Sequence, residues 1–168
     1  EEVARNHILQ SKPDVVVNVI DATNLERNLY LTTQLLDMKV PLVVALNMMD
    51  LAAQRHLEIE VDHLAKHLDC PVIPIVASKG NGIDELKDAI AQVAATHHVS
   101  KTRVLYDSEV EGAIRLLTPK VQDVATEKDV DSRWLAIKLL EEDPLAEDLT
   151  GGAHASLVAT ELARISRH

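Results

Sequence analysis

With 168 residues and 46% hydrophobic side chains, the chain can bury one good core or two modest ones, and with 2% aromatic residues and no Phe that core must be aliphatic. Both halves share the formal net charge of −10 and show no cluster of Lys and Arg, which excludes a nucleic-acid-binding face and a polybasic membrane patch. The single cysteine, Cys70, rules out an intrachain disulfide, and the absence of a signal peptide or of any run near the roughly 18 apolar residues of a membrane span predicts a soluble chain in a reducing compartment.

Residues 1–10 read as a helix whose apolar side chains are Val3, Ile8 and Leu9. Pro13-Asp14 opens a strand over 15–20, in which Asn18 interrupts an apolar run. Thr23 and Glu26 have capping-box spacing, and the helix after them carries Leu25, Leu29, Thr32 and Leu36 on one side. Pro41 begins a second strand, apolar from Leu42 to Leu46, that empties into Asn47-Met48-Met49-Asp50. A continuous apolar run of that kind reads as a strand buried on both faces of a parallel sheet. Val61, Leu64, Ala65 and Leu68 form the stripe of another helix. In the strand over 72–76, Pro74 removes a ladder hydrogen bond and so predicts the edge of the sheet. Gly80 and Gly82 shape the next turn, and Ile83, Leu86, Ile90 and Val93 drive the helix beyond it. Strands alternating with helices at these spacings imply right-handed β-α-β crossovers and half of a doubly wound α/β sheet.

Residues 96–102 are polar and break the pattern, so a linker is expected there, with an α/β part over 1–98 and a helical part over 99–168. Ser108 and Glu111 have capping-box spacing ahead of a stripe of Val110, Ile114, Leu117 and Val121. Asp131-Ser132 can cap the helix that begins at Arg133-Trp134-Leu135, and Pro144 is expected to stop it. Gly151-Gly152 predicts a loop, and Val158, Leu162 and Ile165 mark a last helix.

Ligands of open α/β sheets bind just beyond the carboxyl ends of the strands, which is where Asn47 and Asp50 fall. A carboxylate accepts two hydrogen bonds side by side, matching the adjacent N1 and N2 donors of guanine; as an isolated pattern, though, Asp50 reads more simply as a cap of the following segment. Asn47-Met48-Met49-Asp50 resembles the guanine-specificity motif of Ras-like GTPases, Asn-Lys-x-Asp, with the Met48 thioether standing where a lysine stem covers the base. Val76-Ala77-Ser78-Lys79 resembles their last motif, Ser-Ala-Lys, where a backbone N–H meets the guanine O6; Ala77 stands where Ser is common and Ser78 where Ala is. Residues 19–31 (VIDATNLERNLYL), Cys70-Pro71-Val72-Ile73-Pro74 and Arg133-Trp134-Leu135 are similar to the cytosolic region of the ferrous-iron transporter family FeoB, in its proteobacterial form, and the resemblance covers nearly the whole chain.

That resemblance implies the C-terminal, base-recognising half of a Ras-like P-loop G domain, followed by a helical regulatory domain resembling an inhibitor of nucleotide dissociation. The nucleotide-binding residues it implies are Asn47, Met48, Asp50, Val76, Ala77 and Ser78, binding GTP or GDP. Mg²⁺ would be held by residues outside this chain, because no G-x-x-x-x-G-K-[ST] occurs in it. The parent protein would then be a GTPase and this chain alone inactive. Its partners would be guanine nucleotide and its own transmembrane iron-transport domain downstream of His168, at the cytoplasmic face of the bacterial inner membrane. No nucleic-acid partner is implied, and a homo-oligomer stays open. Two rivals are a ribosome-associated GTPase fragment, which the acidic balance disfavours, and a scaffold module that binds no nucleotide.

Other chemistry-bearing residues favour structural roles. His63 and His67 have the i, i+4 spacing of a helical metal pair, but no third ligand is fixed by sequence. His97-His98 reads as solvated, Cys70 as a small buried hydrophobe, Trp134 as core, and Glu141-Glu142-Asp143 as a solvated surface.

Overall fold

A computed structural model describes residues 2–167, so the first residue of the helix predicted over 1–10 lies outside the described residues. The chain forms two compact units that divide between Arg103 and Val104.

The first unit begins with α1 (Glu2–Ser11) and holds three strands, β1 (Val16–Asp21), β2 (Leu42–Asn47) and β3 (Val72–Pro74). They run parallel in the order β1-β2-β3, with Val16 opposite Leu42, Asp21 opposite Asn47, and Leu46 opposite Pro74. Both faces of β2 are covered, and Val43 to Leu46 have no exposure at all, as its unbroken apolar run requires. Pro74 sits in the edge strand β3. Immediately after it the Ile75 N–H donates to the Leu46 carbonyl at 2.8 Å, so the proline costs little of the ladder. The paired strand ends at Pro74 rather than at Val76, which instead bridges to Asn81.

Around the sheet lie α2 (Leu25–Asp37) against β1, α4 (Val61–Leu68) against β3, and α5 (Ile83–Thr96) against β2 and β3; the short α3 (Met49–Gln54) follows β2 directly. Ala89 and Val93 of α5 pack with Leu86 and Ile90 onto Val43 and Ile73, as the predicted stripe requires. Asn18 is buried, and the Thr32 hydroxyl donates to its Oδ1 at 2.6 Å. A polar residue inside an apolar strand is thereby satisfied by a polar residue inside an apolar helix face. Cys70 is buried too, and that burial pushes its thiol up to about 12. On β1, by contrast, Val17 and Val19 are exposed.

Local signals differ from the sequence reading at two points here. The Thr23/Glu26 box does not form: Asp21 accepts from both the Thr23 N–H (2.8 Å) and its hydroxyl (2.7 Å), folding residues 22–24 into a 3₁₀ turn, and α2 starts at Leu25 without a side-chain cap. Nor is the polar stretch after α5 free. Ser100 is buried and its hydroxyl donates to the Leu68 carbonyl at 2.7 Å, while the Thr102 hydroxyl donates to that of His67 at 2.7 Å. Lys101 N–H donates to Asp69 Oδ2, and the Lys39 ammonium holds the Ser100 and Thr102 carbonyls. Residues 97–103 are a strap that satisfies carbonyls at the C-terminus of α4, so the division between units falls a few residues later than composition suggests.

The second unit is helical among the described residues: α6 (Ser108–Lys128), α7 (Ser132–Leu140), α8 (Pro144–Thr150) and α9 (Ala155–Ile165). α6 packs on the other three. Its buried row is Ala113, Ile114, Leu117, Val121 and Ala125, and α7 contributes Trp134, Leu135, Ala136 and Leu139. Asp131 caps α7 as expected, accepting from the Trp134 N–H at 2.9 Å. The cap of α6 is Asp107, one residue ahead of the predicted Ser108. It accepts from the Val110 N–H, while Glu111 reaches back to the Tyr106 N–H. Pro144 starts α8 rather than merely ending α7, with Asp143 as N-cap; a proline at the first helical position gives up an N–H that would have no partner anyway.

Inside this unit the Arg133 guanidinium grips Glu111 through both Nη atoms (2.7 and 3.1 Å) and donates to the Val104 carbonyl at 3.0 Å. Its charge and hydrogen bonds hold the Glu111 carboxyl below the usual range.

Candidate functional site

The carboxyl end of β2 is where the chemistry gathers. Asn47 is the last residue of the strand, and Met48 then adopts a left-handed backbone (φ 64°), which few non-glycine residues do. That one residue turns the chain into α3 and puts Asp50 in its first helical turn, half-buried at the sheet edge. Met48 itself stays exposed.

A second loop meets this turn from β3. Val76 is buried; its N–H and carbonyl are both paired with Asn81 (3.0 and 3.2 Å), which pinches residues 77–80 into a closed loop. Within it Ala77–Lys79 is a 3₁₀ turn, and Ala77 and Ser78 are exposed. Gly82 closes the loop at φ +79°, where an added Cβ would collide with the Pro74 carbonyl oxygen. Only glycine fits there without distortion.

Two contacts join the loops. Asn47 Oδ1 accepts from the Ala77 N–H at 3.0 Å, locking the strand end to the loop. The Lys79 ammonium lies 2.7 Å from Asp50 Oδ2, and the other carboxylate oxygen accepts from the Leu51 N–H at 2.9 Å. Lys79 is the main reason the Asp50 carboxyl is held below its ordinary value. Asn47, Met48 and Asp50 thus sit on one turn and Val76, Ala77 and Ser78 on the other, and the two turns are in direct contact. The result is a ledge with an acceptor carboxylate, a thioether and exposed backbone, suited to a flat ring that presents adjacent donors.

Lys79 and Asn81 are the residues that sequence reasoning passes over. In the sequence Lys79 is only the last residue of the Ala77-Ser78-Lys79 motif, and the Asn81 pairing follows from Gly80 and Gly82 permitting a tight return. Elsewhere, no group of three or more His, Cys, Asp or Glu that could hold a metal occurs among the described residues, and no helix there is long and apolar enough to cross a membrane.

Comparison with known proteins agrees with this architecture unit by unit. Residues 1–90 match the family model described as ferrous iron transport protein B, and residues 106–168 match the FeoB cytosolic helical domain. The chain is 39% identical over 167 residues to the Fe(2+) transporter FeoB of Shigella flexneri, covering 98% of this chain and 21% of that protein. It therefore spans about a fifth of the length of the curated relatives it matches. Among solved structures, an S. thermophilus NFeoB mutant bound to GMPPNP superposes with a TM-score of 0.84 at 32% identity, over 99% of this chain and 66% of that one. The cytosolic domain of L. pneumophila FeoB does so with a TM-score of 0.80 at 29% identity, over 94% and 61%. With a parallel sheet in the first unit, helices in the second, and a family model matching each, the chain belongs to the ferrous iron transport protein B family.

Proposed function

We propose that this chain is the base-recognising part of a guanine-nucleotide-binding domain, joined to a helical regulator, in a GTP-dependent ferrous-iron transporter. The observation that carries this reading is the bond from the Ala77 N–H to Asn47 Oδ1, which joins the two loops that would hold the base. Asp50 then accepts from guanine N1 and N2 in place of Lys79, Met48 covers one face of the ring, and the backbone at Ala77 and Ser78, framed by Val76, meets O6. The GMPPNP-bound relative supports the nucleotide class.

The phosphates and Mg²⁺ fall to residues outside the 168, which contain no phosphate-loop motif. This chain alone therefore should not hydrolyse GTP, and turnover above background that depends on Asn47 or Asp50 would refute that. The nucleotide cycle is proposed to control Fe²⁺ passage through a downstream membrane domain, with this part at the cytoplasmic face of the inner membrane.

The test is Asp50→Asn in a cytosolic region that includes the upstream segment. Exchanging an acceptor for a donor should weaken GDP by about ten- to a hundredfold, the worth of a hydrogen bond to a charged group, and should improve XDP, whose exocyclic group is a carbonyl. Unchanged GDP affinity would remove Asp50 from the site. Residues 104–168 are proposed to slow nucleotide exchange while leaving base preference alone. Truncation after Arg103, which spares the strap, should speed GDP release by about tenfold, mostly through the off-rate. An unchanged off-rate in a folded truncation would make the helices a spacer.

A further inference from the structure

The base ledge leaves one cluster of chemistry-bearing side chains unused. On α4, His63 and His67 stand one turn apart with both rings exposed. The rings meet edge to face with centroids 4.3 Å apart, and their Nε2 atoms converge to 2.8 Å. At that separation one nitrogen carries the hydrogen and the other presents its lone pair. If that hydrogen moves to the far side of its ring, two lone pairs face each other, and a turn of each exposed ring by about 35° aims both at one ion beside the N···N line. Two nitrogens bound to one ion at about 2.0–2.1 Å with a tetrahedral angle sit about 3.3 Å apart, so the rings need open by only roughly half an ångström. The helix that spaces them is anchored: the carbonyls of His67 and Leu68 are held by the hydroxyls of Thr102 and Ser100.

We propose that His63 and His67 form a bidentate surface site for a late first-row divalent cation. Two neutral imidazoles suit copper, nickel and zinc, with copper the tightest by intrinsic affinity, and offer nothing to oxygen-seeking magnesium or calcium. No third protein ligand joins them among the described residues, so water fills the remaining positions and the site is open to solvent. It shares no residue with the base ledge and stands or falls independently of that reading.

The experiment is a titration of the 168-residue chain with Zn²⁺ in a non-coordinating buffer, followed by calorimetry and by the imidazole ring-proton resonances. One equivalent should bind, moving the His63 and His67 signals together. His63→Ala and His67→Ala should each weaken binding by at least about tenfold, since even groups that only orient a metal ligand are worth 10–100-fold. Both positions are exposed, so the variants should fold; retained helical circular dichroism checks this, and His63→Gln supplies a polar alternative. His97→Ala should bind as the parent does. Stationary His63 and His67 resonances in excess Zn²⁺, or undiminished affinity in His67→Ala, would overturn the proposal and leave the pair as a surface hydrogen bond.

Discussion

The two units differ in where their most closely held cations stand. In the first, the charges of the candidate site stand at the open edge of a sheet: the Lys79 side chain is 59% exposed, and its partner Asp50 also meets solvent. In the second, beside surface pairs such as Lys128–Glu127, two cations turn inward. The Arg133 side chain is 15% exposed and grips Glu111, and that of Lys138 is 7% exposed and reaches Glu141 at 2.6 Å. A charge committed to a partner inside a fold stabilises or positions that fold; a charge held loosely at an edge can be handed to a ligand. The contrast sets the unit proposed to recognise a nucleotide apart from the unit in which Arg133 and Lys138 hold their own fold together.

The largest expected effect lies in the second unit. Leu117 of α6 is fully buried, and Leu117→Ala should cost about 2–5 kcal/mol of that unit's stability in urea unfolding, through lost burial and the cavity left behind. The same change should leave the guanine-over-xanthine preference of the assembled domain intact, and a lost preference would show that the helices shape the base ledge itself. Next comes Gly82→Ala, which forces a left-handed backbone on a residue with a Cβ and drives that atom into the Pro74 carbonyl. It should cost about 1–3 kcal/mol in the first unit, whereas Gly151→Ala, with open space around it, carries only the backbone strain.

Smaller again is the Glu111–Arg133 pair. The Arg133 guanidinium, helped by the Tyr106 N–H, lowers the Glu111 carboxyl in the folded state. Its contribution is therefore complete above the ordinary glutamate value of 4.5 and fades as pH falls through the lower folded value. Arg133→Gln should cost about 1 kcal/mol near neutrality and should flatten the acid limb of the stability curve. An acid limb as steep as the parent's would show that the pair is not what the second unit relies on. The smallest effect is Lys79→Ala, with no measurable change in stability but a rise of the Asp50 carboxyl towards its ordinary value, read by side-chain carboxyl chemical shifts. A fixed Asp50 titration would mean that Lys79 is not its partner in solution.

Much of this was legible from period and punctuation alone. The three strands and the helices α2, α4 and α5 are local patterns, and local patterns survive being read one residue at a time; the loop from Val76 to Ser78 is marked only by its motif resemblance, and the short α3 carries too few residues to show a period. What escaped depends on partners distant in sequence or on competition between neighbours. Asp21 outbids Thr23 as the organiser of its turn because its carboxylate can accept two bonds from one residue. Asp107 displaces Ser108 in the same role. Pro144 is a stop signal until Asp143 is recognised as a cap, whereupon the same residue becomes a start. The strap over 97–103 looks like a tether because its composition is polar, yet those polar groups answer the carbonyls of a helix some thirty residues earlier. No periodicity encodes that.

The strap also decides where a protease would cut. Its backbone is held at several points by α4 and Lys39, and a bond so restrained cannot enter an active-site cleft in the extended form that cleavage demands. Residues 58–60, between α3 and α4, lie outside any helix or strand, and Glu58 and Glu60 are exposed. Limited digestion with a protease of broad specificity should therefore nick within 58–60 before it severs residues 100–102. An investigator who takes the first stable fragments as domains would place the border inside the first unit, splitting β2 from β3 and the Asn47 turn from the loop it clasps.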